Sequence, residues 1–374
     1  MYKENGFKKK EDAERLIGEL SAEPAGPATV IGIEKKKENK NAPLLYNLAE
    51  LQNDCSKYFK ISPDETLRIV QELYEKKMTT YPRTDARVLS TAVAKEIHKN
   101  IGGLRNYALA APFAKEVLEQ GAYKNIAKTR YVNDKQITDH YAIIPTGQGL
   151  NNLAGLAPTA AKVYEVIVRR FLSIFYPPAV YQKFSLTLQV KEESFFASFK
   201  VLIQEGYLKV TDFSFKKENT AQKEDKENEN ESADEKCDAE LTNLLTHLKK
   251  GDTLSVDTYE IKEGETSPPK RYTSGSIILT MENAGQFIED EELRAQIKGS
   301  GIGTSATRAE ILKKLVNIEY LALNKKTQII TPTLLGESIY EVVNCSIRSL
   351  LDPKLTASWE KGLTLVADGN ITEQ

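Results

Sequence analysis

The sequence predicts an α+β chain of several domains, with helical modules before and after a mostly antiparallel sheet. Three observations carry this. A chain of 374 residues is too long for one hydrophobic core. Apolar residues recur at helical spacing over 45–59, 62–77, 90–99 and 158–175, then alternate over Val180–Val190. Toward the C-terminus, the order helix, helix, hairpin has the pattern of a winged-helix unit.

In chain order, 10–20 reads as a short amphipathic helix and 28–33 as a strand with apolar Val30, Ile31 and Ile33. Lys35-Lys36-Lys37-Glu38-Asn39-Lys40-Asn41 reads as a polar, solvated loop. Leu45–Phe59 is helical, with Leu48, Leu51 and Cys55 on one stripe. Ser62-Pro63-Asp64-Glu65 starts the next helix: Ser62 is the N-cap, Pro63 sits at N1 and Glu65 closes a capping box. Leu67, Val70, Leu73 and Tyr74 form its buried face. Ser90 caps a helix to about Lys99, a short helix lies near 112–119, and Pro158 opens a long one to about Phe175. Strands follow at 180–190, 196–202, 207–213 and 253–261, interrupted by an acidic segment. Residues 266–273 read as a linker. Helices follow at 274–285, 291–297 and 308–316, the last with a capping box at Thr307 and Glu310. A hairpin over 320–330, a helix from Thr333 and a final helix over 355–366 with the single tryptophan, Trp359, complete the chain.

Composition is that of an ordinary globular protein, 40% hydrophobic and 28% charged. No run is apolar enough for a membrane span, and the N-terminus has no apolar signal core. Three scattered cysteines (Cys55, Cys237 and Cys345) fit neither a disulfide framework nor a zinc site. The reading is cytoplasmic, with no membrane partner. Net charge is −2, but residues 216–240 alone sum to −5, which leaves +3 on the remainder. The folded part is mildly basic and can accept a polyanion.

The segment that points to chemistry is Thr79-Thr80-Tyr81-Pro82-Arg83-Thr84-Asp85. Proline holds it extended, so Tyr81 and Arg83 should face one partner together. A deprotonated phenol is a nucleophile, and a guanidinium holds phosphate by paired hydrogen bonds. The plain alternative is that Tyr81 packs, as most of the 17 tyrosines do. Gly301-Ile302-Gly303-Thr304 lacks the Gly-Lys-Ser/Thr ending of a nucleotide-binding loop. With Thr307 and Arg308 at a helix start, it could instead seat a phosphate or simply cap the helix.

Six segments in order resemble the type IA DNA topoisomerases, and among them the bacterial topoisomerase III group. They are Pro43–Leu48 with Leu51-Gln52, Gln71–Glu75, Thr80–Asp85, Asp139-His140-Tyr141-Ala142-Ile143-Ile144-Pro145-Thr146, Gly301–Glu310 and Thr356–Glu360. The resemblance implies helical, winged-helix-like domains joined by an antiparallel β arch, the gate of that family with domains II, III and part of IV. It assigns 1–27 to a helical base segment, 28–42 and 168–270 to the arch (with the acidic loop 216–240), 43–167 to the domain of the catalytic tyrosine and 271–374 to a single-strand-binding base. It also implies single-stranded DNA as partner, a monomeric state and a nucleoid location. Tyr81 would cleave one strand through a 5′-phosphotyrosine link without ATP, and the strand would be rejoined after strand passage. Arg83 would clamp the phosphate and His140 would act beside it. Gln52, Thr304, Thr307 and Arg308 would contact the DNA backbone. Family members begin with a Toprim domain whose Asp-x-Asp cluster binds Mg2+. No Asp-x-Asp occurs here, so the expectation is a fragment without that domain or the C-terminal tail, holding no metal and inactive by itself. Two alternatives are a non-catalytic single-stranded DNA-binding module and, lower, a tyrosine recombinase, whose tyrosine would stand near the C-terminus and apart from its arginines.

Overall fold

The structure is a computed structural model that describes residues 6–22, 26–137, 139–216, 239–297 and 301–372. Its elements are α1 (Lys10–Ser21), β1 (Ala28–Lys40), α2 (Leu48–Phe59), α3 (Pro63–Glu75), α4 (Thr91–Gly103), α5 (Ala111–Gln120) and α6 (Pro158–Ser173). Then come β2 (Ala179–Val190), β3 (Glu193–Gln204), α7 (Ala239–His247), β4 (Thr253–Leu254), α8 (Ser274–Glu282) and α9 (Glu291–Ile297). The chain ends with α10 (Arg308–Asn317), β5 (Leu321–Leu323), β6 (Ile330–Pro332), α11 (Leu334–Ser346) and α12 (Pro353–Ala367). The α+β class with an antiparallel sheet is as the sequence predicts.

Two compact units result. One gathers the described residues of Met1–Ala42, Pro177–Lys209 and Glu218–Pro268; the other gathers those of Pro43–Tyr176, Val210–Lys217 and Pro269–Gln374. The first unit is built on a sheet of order β3-β2-β1-β4. Its strands pair antiparallel, and β2 turns into β3 through Lys191, whose φ is +52°. Val30, Phe184, Leu186 and Val201 bury one face against Leu245 and Leu248.

Here three expectations fail. Residues 35–40 are strand, not loop: β1 runs on to Lys40, opposite Ala179. Alternation separates the lysines, and Lys35 donates from Nζ to the carbonyls of Thr246 (2.6 Å) and Leu248 (3.1 Å), at the C-terminal end of α7. A cation there meets the carbonyls that a helix end leaves unpaired. Residues 206–210 form a 3-10 turn instead of a strand. Gly206 has φ +52°, and the Tyr207 amide donates to the carbonyl of Pro177. Only Thr253–Leu254 of the last predicted strand pairs with β1. Beyond it, Val256 and Tyr259 pack on Leu20, Ala28 and Val190. The acidic stretch 217–238 lies outside the described residues.

The second unit is mainly helical. Its helix starts follow the local signals: Asn47, Ser62, Ser90, Thr273 and Thr333 each cap a helix through a side-chain oxygen. Thr307 does not cap α10 as expected. Its Oγ1 accepts instead from the Thr304 amide at 2.9 Å. Helix α8 lies directly on α2, because a Cβ at Gly275 would stand 2.7 Å from the Asn53 Cα. Ala49, Ile278, Leu312 and Ile330 form the core between α2, α8, α10 and the β5–β6 hairpin. This core sets α8, α10 and the hairpin against α2, and Asn47 and Arg308 then bond to Asp85 in the segment that carries Tyr81.

Candidate active site

Tyr81 lies just past the end of α3. The helix ends at Glu75, and Lys77 takes a left-handed conformation with φ +59° that redirects the chain. Thr79–Thr84 then runs beside His140–Thr146. The Thr80 amide donates to the Ile144 carbonyl (3.0 Å) and the Ile144 amide to Thr80 Oγ1 (3.0 Å). Thr80 Oγ1 donates to Ala142 (3.0 Å) and Thr84 Oγ1 to the His140 carbonyl (2.9 Å). The Thr-Tyr-Pro-Arg-Thr and Asp-His-Tyr-Ala-Ile-Ile-Pro-Thr motifs are therefore two sides of one hydrogen-bonded structure.

Tyr81 is half-buried and meets two rings. His140 lies 4.4 Å away between centroids at 42°, and Tyr74 lies 5.4 Å away, nearly perpendicular at 82°. His140 itself is exposed. An open cleft of about 510 Å³ adjoins them. Its walls include Tyr74, Glu75, Lys77, Tyr81, His140 and Tyr141.

Arg83 is exposed, and the extended run does not reach it. The Thr84 amide donates to the Pro82 carbonyl at 3.0 Å, a tight turn centred on Arg83. Strand alternation therefore does not set its direction. Its Nη1 donates to the Ala306 carbonyl at 3.3 Å, just before α10. The next bond is stronger: Arg308 Nη1 donates to Asp85 Oδ1 at 3.0 Å. Asn47 Nδ2 donates both to the Asp85 carbonyl (3.2 Å) and to Glu282 Oε1 (2.5 Å). Burial raises the Glu282 carboxyl above its usual range. Arg308 opposes the shift, while Asp85 and Glu50 add to it.

A family model described as DNA topoisomerase matches residues 2–374. The chain belongs to that family. It is 34% identical over 361 residues to DNA topoisomerase 3 of Bacillus licheniformis, covering 96% of this chain and 45% of that protein. Against DNA topoisomerase 3 of Bacillus cereus it is 32% identical over 376 residues, covering 99% and 48%. The full-length topoisomerase I from Thermotoga maritima superposes with a TM-score of 0.64 at 21% identity, over 98% of this chain and 52% of that one. The chain thus spans about half the length of the relatives it matches.

Set in this topoisomerase frame, the residues expected at the site divide. Tyr81 and His140 come together, whereas the contact of Arg83 is with the Ala306 carbonyl before α10. Thr304 and Thr307 are exposed, with their hydroxyls 3.1 Å apart. Gln52 and Arg308 are not on a surface that a strand could touch. Gln52 is 1% exposed, and its Nε2 donates to the Pro63 carbonyl at 3.0 Å, tying α2 to the start of α3. Arg308 is also 1% exposed; besides Asp85 it donates to the carbonyls of Ile302 (3.2 Å) and Gly303 (3.1 Å). Both polar heads are satisfied inside the protein. Sequence reasoning missed Asn47, Asp85 and Glu282 as neighbours of Arg308; only the acid-base complementarity of Asp85 and Arg308 hinted at them.

Magnesium, which topoisomerases of type IA generally require, calls for several oxygen ligands in one place. Among the described residues no three His, Cys, Asp or Glu side chains gather as a metal-binding group. The cleft beside Tyr81 is lined by one carboxylate, Glu75, next to the Lys77 ammonium. These residues do not fit a magnesium site. Also among the described residues, no helix is long and apolar enough to cross a membrane.

Proposed function

We propose that this chain carries the strand-cleaving tyrosine of a type IA DNA topoisomerase acting on single-stranded DNA. The observation that carries the reading is the ring contact of Tyr81 with His140 beside one open cleft, with an exposed guanidinium, Arg83, two residues after the tyrosine. Tyr81 Oη attacks a phosphodiester, forming a 5′-phosphotyrosine and releasing a 3′-hydroxyl. One phosphate ester replaces another, so the break needs no ATP and can be resealed once another strand has passed. The Arg83 guanidinium, exposed and bonded at 3.3 Å to the Ala306 carbonyl, is available to pair with the phosphate oxygens. His140, whose ring lies 4.4 Å from that of the nucleophile, is placed to hold or move a proton at the tyrosine or the phosphate.

A phenol with an ordinary pKa of about 10 is a poor nucleophile at neutral pH without a base or added positive charge. In this reading, that help and the Mg2+ site come from the portion of the relatives that this chain does not span, the Toprim domain. Single-stranded DNA is the partner. Thr304 and Thr307 remain candidates for backbone contacts.

The test is adduct trapping. Labelled single-stranded DNA is incubated with Mg2+ and the chain joined to the additional portion of its relatives, then denatured with detergent. A covalent protein–DNA species is expected, and Tyr81→Phe should abolish it while binding persists. Adducts that survive Tyr81→Phe would exclude Tyr81 as nucleophile and favour a non-catalytic DNA-binding role. Binding by the chain alone should weaken steeply with salt.

A further inference from the structure

The cleft beside Tyr81 has a wall that bond cleavage does not use. Tyr74 closes α3, yet it is 40% exposed while Val70 and Leu73 of the same helix are fully buried. Helical spacing would have turned it inward; the redirection at Lys77 leaves its ring on the cleft, perpendicular to Tyr81. Tyr141 lines the same space. Its hydroxyl is pushed above the usual range by burial, so it stays neutral. The cleft's volume of about 510 Å³ falls within the roughly 300–1,000 Å³ of small-molecule sites. One cation and one anion, Lys77 and Glu75, stand on its walls, so it is not a phosphate trap. Thr79, which also lines it, has a buried hydroxyl without a hydrogen-bond partner. An aromatic, electrically balanced cleft suits a flat, neutral group.

We propose that Tyr74, backed by Tyr141, forms a nucleobase subsite for the nucleotide next to the phosphate that Tyr81 attacks. This rests on the reading of Tyr81 as a nucleophile on single-stranded DNA. The nucleotide esterified to that phosphate has to lie within its own length of the Tyr81 hydroxyl, and the cleft is the open space there. Every base has a π-face, so stacking holds the strand in register without selecting a sequence. Tyr74 acts here as a binding residue; it does not touch the reacting atoms.

The experiment is a thermodynamic cycle by fluorescence anisotropy at low salt. The chain and its Tyr74→Ala and Tyr74→Phe variants are titrated with an oligothymidylate and with a fully abasic strand of the same length. Tyr74→Ala should weaken oligothymidylate binding about tenfold or more and leave abasic binding unchanged. Tyr74→Phe should match the unsubstituted chain. Equal losses on both strands, or none on either, would overturn the subsite while leaving Tyr81 as nucleophile. No binding of either strand by the unsubstituted chain would overturn both readings. Should Tyr74→Ala fail to fold, 2-aminopurine in the strand gives the same answer on the unsubstituted chain. Quenching on binding supports stacking, and unchanged emission excludes it.

Discussion

Arg308 and Asp85 form an ion pair of 3.0 Å that joins the start of α10 to the segment carrying Tyr81. Arg83 adds a second bond to the same place, through the Ala306 carbonyl. Residues two and four positions after the tyrosine are thus tied to one helix start. The guanidinium of Arg308 is 1% exposed, whereas the carboxylate of Asp85 is 37% exposed. Removing Asp85 takes an opposite charge away from a buried guanidinium. Breaking a fully buried pair costs about 3–5 kcal/mol; with one partner solvent-screened, Asp85→Ala should cost about 1–3 kcal/mol. Urea denaturation measures this, and an unchanged midpoint would show that the pair does not hold the segment.

The Glu282 carboxyl makes stability depend on pH. Its folded value is raised, chiefly by burial. The folded chain therefore holds this proton more tightly than the unfolded chain. The stabilisation is full below the unfolded value of about 4.3 and is lost as pH rises through the raised folded value. Glu282→Gln keeps an oxygen to accept from Asn47 Nδ2 and removes the titration. Stability measured from pH 4 upward should fall less steeply in this variant; parallel curves would contradict the assignment.

Gln52 and Thr304 can be told apart by substitution. Gln52→Ala leaves the Pro63 carbonyl without its 3.0 Å partner inside the protein, and should cost about 1–3 kcal/mol. It should leave single-stranded DNA affinity unchanged when measured on the folded variant. Thr304→Ala, on an exposed turn, should change stability little and weaken binding if it meets the backbone. A weaker binder with unchanged stability in Gln52→Ala would restore Gln52 as a DNA contact.

Gly301 fixes the loop that leads to Arg308. Its φ is +66°, and a Cβ would lie 2.4 Å from the carbonyl oxygens of Met281 and Glu282. Alanine there is strained in backbone and contact alike, so Gly301→Ala should destabilise by more than about 1 kcal/mol. Thermal unfolding reads the loss. Gly264→Ala, where nothing lies within 4 Å, serves as the neutral comparison.

Part of the candidate site is legible in the sequence. Thr79–Asp85 stands out by residue type and Asp139–Thr146 by its resemblance to the family, and the structure pairs them through Thr80 and Thr84. The inward turn of Gln52 and Arg308 was not legible. A polar side chain in a motif looks the same whether it meets DNA or a carbonyl inside the protein. Asp85 and Arg308 are 223 positions apart, and no local pattern reports such a pair. Tyr74 misled for the opposite reason: its spacing from Leu67 and Val70 fits a buried face, but its helix ends one residue later.

What the sequence determined by itself is local. Helix starts at Ser62, Ser90 and Thr333 follow from capping, and the alternation of 180–190 makes a strand, because each depends on neighbours within a few residues. The tertiary structure decided what lies on each side of those elements. It extended β1 through Lys35–Lys40 because β2 supplied partners, and it withdrew Arg308 from the surface because Asp85 offered an opposite charge. It also left Tyr74 open beside Tyr81, since the fate of a side chain at a helix end depends on what packs against it.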